Sequence, residues 1–118
     1  MTRDGFNAYC RSLPATTHVV QWGNSDVWKV GGKLFTVCGW NGDAPAFTFK
    51  VSELMWEVLR DAPGFRPAPY LASRGMLWIQ AHDTPAVDAD EDLKGHIRAS
   101  YDLIVAKLTR KLRAELNL

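Results

Sequence analysis

The pair Gly32-Lys33 is the first place in this sequence where chemistry could be expected. A glycine followed by a lysine ends the phosphate-binding loop of many nucleotide-binding proteins, where backbone amides and the lysine hold the phosphates. That loop also needs a glycine five residues before Gly32 and a serine or threonine after the lysine. The sequence has Val27 and Leu34 at those two positions. The pattern therefore excludes this loop and favours the tight turn of a β-hairpin.

The histidines and cysteines do not form a recognisable site for a metal or a nucleophile. His18, His82 and His96 lie in different segments, without the His-x-x-His or His-Glu-x-x-His spacing of metal sites. Cys10 and Cys38 match neither a zinc ribbon nor a Cys-x-x-Cys redox pair. No Gly-x-Ser-x-Gly motif marks a nucleophilic serine. We therefore expect a protein without a metal, without a cofactor and without enzymatic activity.

Lysines interleaved with an aromatic residue form the one surface pattern that points to a partner. Lys29, Leu34 and Lys50 are predicted to lie in one row across the exposed face of a sheet. Lys33 is placed at the nearby turn and Trp40 at the far end. Lysines can contact phosphates, while an indole offers a stacking surface for a base. The alternative is that lysines on a sheet only keep the protein soluble and block pairing at its edges.

A β-hairpin is predicted to position these residues, because two apolar runs flank the Gly31-Gly32 pair. Residues 26–30 and 33–40 are rich in β-branched and aromatic types. The Gly-Gly pair suits the positive φ angles that a two-residue hairpin turn requires. This turn pairs Val30 with Lys33 and places Trp28 opposite Phe35.

A second turn at residues 41–43 is predicted to continue the sheet as an antiparallel meander. A three-residue loop pairs Val37 with Phe47, whereas a two-residue loop would mix polar and apolar side chains on one face. The predicted core face combines apolar residues from three strands: Trp28, Val30, Phe35, Val37, Phe47, Phe49 and Val51. The opposite face, predicted to be exposed, carries a mixed set: Lys29, Leu34, Thr36, Cys38, Trp40, Thr48 and Lys50.

Helices and a further strand are predicted around this meander. The first helix covers residues 2–13, and Ser52 is the N-cap of a second, short helix. Residues 63–75 are rich in proline and glycine and are predicted to form an irregular loop. Residues 76–81 are apolar and are predicted to form a strand.

The last helix has the clearest pattern in the sequence. It begins at Asp88, which is followed by Glu91 at capping-box spacing, and its apolar stripe extends to Leu112. Acidic residues occupy its first turn: Asp88, Asp90, Glu91 and Asp92. Basic residues occupy its end: Lys107, Arg110, Lys111 and Arg113. This polarity complements the helix dipole, and the dipole alone is a sufficient reason for it.

Length and composition indicate one soluble globular domain over residues 1–118. The net charge of +1 and the pI near 7.8 give no support to nucleic-acid binding, for which a domain pI above about 9 is typical. No apolar stretch approaches the length of a membrane span, and no signal region opens the chain. We expect a cytoplasmic α+β protein that has no contact with a membrane.

Several blocks along the chain together resemble the MmcQ/YjbR family of small bacterial proteins. The most specific are Lys29-Val-Gly-Gly-Lys-Leu-Phe35 and Ser100-Tyr-Asp-Leu103. The resemblance implies a CyaY-like, "double wing" α/β two-layer fold, in which N-terminal and C-terminal helices pack on one face of an antiparallel sheet. It also implies that Ser100 and Tyr101 pack in the last helix and hydrogen-bond to a loop. The family brings no catalytic residues, and it is usually described as DNA-binding.

The sequence and the resemblance together predict double-stranded DNA binding through phosphate contacts, with Gly31, Gly32 and Lys33 at the tip of a wing. The candidate residues are Lys29, Gly31, Gly32, Lys33, Lys50, Trp40, Arg66 and Arg74. The alternative is a module that binds another protein or a second copy of itself and binds no nucleic acid. That module would use the Trp40 face or the loop around Tyr70.

Overall fold

The computed structural model describes residues 1–72, 75–83 and 89–118. Within these ranges the chain forms four helices and six strands: α1 (Arg3–Ser12), β1 (Thr16–Gln21), β2 (Ser25–Val30), β3 (Lys33–Cys38), β4 (Phe47–Lys50), α2 (Glu53–Leu59), β5 (Phe65–Pro67), β6 (Trp78–Ala81), α3 (Ala89–Val105) and α4 (Arg110–Glu115). The strands form one antiparallel sheet in the order β1-β2-β3-β4-β6-β5. The predicted α+β class is therefore confirmed. None of the described helices is long and apolar enough to cross a membrane.

The main core lies between one face of the sheet and the helices α1 and α3. Helix α1 contributes Phe6 and Cys10. The predicted apolar stripe of α3 is confirmed up to the end of that helix, with these members buried: Leu93, Ile97, Tyr101 and Ile104. The Tyr101 ring meets Phe35 edge to face at a centroid distance of 5.4 Å, and its hydroxyl donates to the Pro14 carbonyl at 2.6 Å. The last helix thus packs on the sheet and on the segment that follows α1.

The last helix differs from its prediction beyond residue 105. The predicted helix continues to Leu112, but α3 ends at Val105 and a separate helix, α4, begins at Arg110. The Thr109 hydroxyl accepts the Leu112 N–H at 3.1 Å and caps α4. Leu108 is buried between the two helices, which explains why the chain turns there. The predicted cap at Asp88 lies outside the described residues.

The register of the first hairpin agrees with its prediction only at the turn. Val30 pairs with Lys33 as predicted, but Trp28 pairs with Thr36 and not with Phe35. A β-bulge makes Phe35 an extra residue on its strand, so that Phe35 and Trp28 both enter the core. The prediction assumed strict alternation of side chains, which a bulge interrupts.

The bulge is tied to α3 by the hydroxyl of Ser100, which is fully buried. This hydroxyl donates to the Phe35 carbonyl at 2.6 Å and accepts the Lys50 backbone N–H at 2.9 Å. A bulge disrupts the ladder locally, so a buried carbonyl there needs a partner from outside the strand. The expected loop hydrogen bond of Tyr101 is present as well, whereas Ser100 bonds the sheet.

The connection after β3 is longer than predicted. It extends from Gly39 to Ala46, so Val37 pairs with Thr48 and not with Phe47. Gly39 has a φ of +152°, and a side chain at this position would collide with Ser25. Only glycine therefore fits where the chain leaves the sheet.

From Thr36 onward, the bulge and the longer connection place the side chains of β3 on the face opposite to the predicted one. Thr36 and Cys38, predicted to be exposed, lie beside Trp28 and Phe47 on the helix-facing side and are buried. Val37, predicted to be on that core face, lies on the opposite one. The reason is that directly opposed residues share a face, and one extra residue reverses every later side chain.

The opposite face of the sheet is also buried, although it was predicted to be exposed. Residues paired side by side across four strands have no exposed surface there: Val27, Val37, Thr48 and Gln80. The Gln80 amide donates to the carbonyls of Gly39 and Trp40 at 3.1 and 3.2 Å. These bonds hold the start of the long connection to this face. The segment predicted as an irregular loop contributes the short edge strand β5.

Substitution of Ser100 tests the bond between the helix and the bulge. Ser100→Ala removes the partner of two buried backbone groups, and we expect it to lower the free energy of unfolding by about 2–4 kcal/mol. Chemical denaturation of the two proteins measures this difference. The control is Ser12→Ala, which removes an exposed hydroxyl bonded to the Tyr9 carbonyl; we expect a loss below about 0.5 kcal/mol. Equal losses in both variants would contradict the role given to Ser100.

Candidate nucleic-acid interface

The turn between β2 and β3 packs directly on the connection between α3 and α4. Gly31 and Gly32 have φ angles of +59° and +77°, as the two-residue hairpin turn requires. A β-carbon at Gly31 would lie 2.7 Å from both terminal methyl carbons of Leu108. The backbone angle is therefore the reason for glycine at position 31, and its lack of a side chain lets Leu108 pack closely on the turn. The contact fixes the hairpin tip beside residues 106–109.

This contact gathers basic residues from distant parts of the sequence. Lys33 lies two residues after Gly31, and three further cations lie within three residues of Leu108. We call the surface formed by Lys33, Lys50, Lys107, Arg110 and Lys111 the basic end. Within the described ranges, none of these five forms an ion pair within 4.0 Å. Their charges are therefore available to a partner.

Lys50 and Lys107 are the closest cations of the basic end. The adjacent Lys107 ammonium, together with partial burial, lowers the pKa of Lys50 from 10.5 to about 8. The Lys50 ammonium also lies 5.8 Å from the centre of the Trp78 ring. No described carboxylate lies within 4.0 Å of either ammonium group. The two ammonium groups repel each other, and an anion placed between them would relieve this repulsion. The pair is therefore an arrangement that suits a phosphate.

Lys50 also borders a cavity of about 340 Å³ between β4, α2 and α3. Most of its lining is apolar, including Val51, Met55 and Leu103. His96 lies in the same wall, stacked on Phe49 with an interplanar angle of 2°. Burial lowers the pKa of His96, which favours the neutral imidazole. The Asp102 carboxylate also lines this cavity and is paired with the Arg98 guanidinium at 3.1 Å. The positive charge in this lining is thus that of Lys50.

The predicted row of Lys29, Leu34 and Lys50 does not form. Lys29 pairs with Leu34 as predicted, but Lys50 pairs with Trp78 on the far side of β4. Lys33 pairs with Val30, whose side chain faces the core. Lys29 directly precedes Val30 on β2. Since neighbouring residues on a strand point to opposite faces, Lys29 and Lys33 lie on different faces of the sheet.

The remaining candidates do not join the basic end. The hairpin turn precedes β3 and Trp40 follows β3. The six residues of this strand, roughly 20 Å, therefore separate Trp40 from the turn. The Arg66 guanidinium donates to the side-chain oxygens of Gln80 and Asn41 at 2.8 and 3.3 Å, so it supports the sheet. Arg74 lies outside the described residues.

Sequence reasoning missed the contribution of the basic residues near the C-terminus to this surface. It explained Lys107, Arg110 and Lys111 by the dipole of one long helix. The signal that could have found them is the concentration of four cations in residues 107–113. Their meeting with Lys33 and Lys50 depends on the contact of Leu108 with Gly31, which no local pattern indicates.

Aromatic residues form a second surface feature at the opposite end of β3. The Trp40 ring lies 5.6 Å from the Trp22 ring and 5.4 Å from the Tyr70 ring. With Leu71 these three side chains line a cavity of about 470 Å³, which we call the aromatic cleft. All three aromatic residues have left-handed backbones, with a φ of 53° at Trp22, 61° at Trp40 and 69° at Tyr70. Such a conformation costs a non-glycine residue roughly 1–2 kcal/mol.

Neither cysteine is placed for nucleophilic chemistry. Burial raises the pKa of Cys10, and burial raises that of Cys38 to about 11, so both are thiols near neutral pH. Cys38 pairs with Asp26, whose carboxylate binds Arg3 and His18. Burial alone would raise the pKa of Asp26, but the hydrogen bonds to it outweigh burial and lower this pKa. In the described part of the chain, no three histidine, cysteine or acidic residues converge on a metal position.

A comparison with models of known protein families shows the family of this chain. The family model described as YjbR matches residues 11–103. The chain belongs to the YjbR family. The match covers every element from the end of α1 to most of α3, and thus the hairpin turn, Lys50 and Ser100. No curated protein matches this YjbR chain.

Two solved structures are similar to this YjbR protein. One is Deinococcus radiodurans protein DR2400, with the family-model domain DUF419. It has a TM-score of 0.82 and 26% sequence identity, over 99% of this chain and 88% of that one. The other is a protein from Pseudomonas syringae, with a TM-score of 0.68 and 22% identity, over 87% of this chain and 98% of that one. The second likeness concerns the fold alone.

The pKa of Lys50 tests the contact between the two lysines. Lys107→Met removes the neighbouring ammonium, and we expect the pKa of Lys50 to rise from about 8 towards its ordinary value of 10.5. Titration of isotope-labelled lysine side chains by NMR measures this value. Lys111→Met is the control, because it removes a charge from the same surface without touching that pair. A Lys50 pKa near 8 in both variants would contradict the contact.

Proposed function

We propose that this YjbR protein binds double-stranded DNA by holding backbone phosphates at the basic end. The observation that carries the proposal is the contact of Lys50 with Lys107 beside the hairpin turn. Neither lysine forms an ion pair with another described residue. Lysine and arginine side chains supply most of the affinity in sequence-independent DNA binding. The protein acts in this proposal as a binding module and not as an enzyme.

The distribution of charge along α3 supports this proposal. The net charge of the chain is only +1, so attraction to DNA must come from a local concentration of cations. Three acidic residues occupy the first turn of α3: Asp90, Glu91 and Asp92. A helix of 17 residues separates them from Lys107 by about 25 Å. The acidic end of α3 is thus distant from the basic end, so a polyanion is attracted to one end of this helix and repelled by the other.

The hairpin turn gives the basic end a shape that suits a duplex. Gly32 has open space around its α-carbon, and Lys33 next to it is exposed. A narrow turn with a lysine can approach the backbone along a groove, as the wings of other DNA-binding domains do. Phosphate contacts position a protein without reading bases. The proposed binding is therefore weakly dependent on sequence.

Fluorescence anisotropy with a labelled duplex of about 20 base pairs tests the proposal at several salt concentrations. The variant Lys33→Ala/Lys107→Ala/Lys111→Ala removes three cations of the basic end. Each lost phosphate contact should make the slope of log K against log salt shallower by about 0.9. The control Lys29→Ala/Arg60→Ala/Lys94→Ala removes the same charge elsewhere and should bind nearly as the native protein does. Equal loss in both variants, or no binding at low salt, refutes the proposal.

Uptake of protons on binding tests the part that Lys50 plays. Free Lys50 has a pKa of about 8, and a phosphate beside it would raise this pKa. At pH 8 the complex should therefore take up as much as about half a proton at Lys50. Calorimetry in two buffers of different ionisation enthalpy measures the uptake. Lys50→Arg keeps the charge but stays protonated and should abolish the uptake; an unchanged value in this variant contradicts the assignment.

A second candidate, self-association, is favoured by the unprotected edge strand β1. The other edge, β5, has three residues and includes Pro67, which cannot donate to a further strand. β1 has six residues without lysine or proline, and its Val19 and Val20 are 39% and 51% exposed. Proteins usually protect such edges, because unpaired backbone groups invite another strand. Two copies could pair through β1 without bringing like charges together.

Sedimentation velocity over a range of concentrations tests this second candidate. A dimer that becomes monomeric in Val19→Lys, but not in the control Leu54→Lys on the exposed face of α2, would support pairing through β1. Leu54 is 73% exposed and lies away from the edge strand. A native protein that stays monomeric at about 100 µM would refute the candidate, since a functional pairing should reach such affinities.

A further inference from the structure

The aromatic cleft has the form of a site for a small ligand. Its volume of about 470 Å³ falls within the range of small-molecule sites. The Trp40 ring stands in the middle, tilted by 36° against Trp22 and by 79° against Tyr70. A ligand in the cleft therefore meets aromatic surfaces in different orientations. Leu71 is the fourth described residue in its lining, and none of these four side chains is charged.

The backbone directs these three aromatic side chains to one place. Trp22, Trp40 and Tyr70 all have left-handed φ angles, which bulky residues rarely adopt. They lie in three separate connections, and yet all three line the same cavity. Strained residues persist only where the surrounding structure fixes them, and they gather at binding sites. The left-handed backbones thus bring the three rings to one cleft.

The charges around the cleft favour a cation. The faces of aromatic rings carry negative potential, so they attract cations and repel anions. Trp40 also borders a second cavity, of about 270 Å³, to which Asp43 and Arg3 contribute. The Arg3 guanidinium is paired with the Asp26 carboxylate. Asp43 is exposed and forms no ion pair with any other described residue. Arg66 donates to the side chains of Gln80 and Asn41 and lines neither cavity. The groups that attract a cation here are therefore the ring faces and the Asp43 carboxylate.

We propose that the aromatic cleft binds a small organic cation with a methylated ammonium group, such as choline. The methyl groups would contact the rings of Trp22, Trp40 and Tyr70, and a polar tail would extend towards Asp43. A methylated ammonium suits rings better than a primary amine does, because it loses less hydration on entering an apolar site. The site lies at the opposite end of β3 from the basic end, so it does not depend on DNA binding.

Titration followed by NMR tests the proposal with two ligands of the same shape. Choline carries the charge, and 3,3-dimethylbutan-1-ol is its neutral isostere. We expect choline to shift the indole N–H resonances of Trp22 and Trp40 with a Kd of about 1 mM or below, and the neutral alcohol to bind at least about tenfold more weakly. Equal affinity for the two ligands, or no shift with choline, overturns the proposal.

Variants locate the site and separate its two contributions. Trp22→Asn removes one ring with a residue that tolerates the left-handed backbone, and Asp43→Asn removes the carboxylate. Each should weaken choline binding by about fivefold or more. The controls Trp56→Phe and Glu115→Gln change an indole and a carboxylate elsewhere and should leave binding unchanged. Equal weakening in a variant and its control overturns the assignment to this cleft.

Discussion

The hydroxyl of Ser100 joins the last long helix to the irregular part of the sheet. It satisfies the carbonyl of the bulged residue Phe35 and the backbone N–H of Lys50 at once. With the bulge held in this way, Phe35 enters the core against Tyr101, and α3 takes a fixed position on β3 and β4. The end of α3 then delivers Leu108 onto Gly31 and Lys107 beside Lys50. The basic end depends on this buried bond and on the close packing of the glycine turn.

Local patterns in the sequence predict much of the fold. The Gly-Gly turn, the pairing of Val30 with Lys33 and the apolar stripe of α3 follow from local chemistry, and the structure confirms them. The faces of Thr36, Val37 and Cys38 were predicted incorrectly, because the chain has a bulge at Phe35. The carbonyl of Phe35 is bonded by Ser100, which lies 65 positions away in sequence. The alternation of polar and apolar residues along a strand carries no information about a contact so distant in sequence. The same applies to the connection after Cys38, where Gly39 fits against Ser25.

The candidate surface was predicted in part for the same reason. Gly31, Gly32, Lys33 and Lys50 could be named from residue type and from the family resemblance. Lys107, Arg110 and Lys111 could not, because one long helix would carry them away from the hairpin. The break at residues 106–109 turns α4 and places Leu108 against the turn. The aromatic cleft likewise combines three connections that are far apart in sequence. Tertiary contacts, and not local propensities, assemble both surfaces.

The most direct test of this account maps a DNA duplex onto the protein by NMR. Backbone amide shifts recorded during titration with an unlabelled duplex of about 20 base pairs report which residues meet it, residue by residue. If DNA binds at the basic end, the largest shift changes will cluster at Gly31, Gly32, Lys33 and Lys50 and at residues 106–111. These changes will shrink as the salt concentration is raised. Changes centred instead on Lys29, on the edge strand β1 or on the aromatic cleft, or no changes at low salt, would contradict this account.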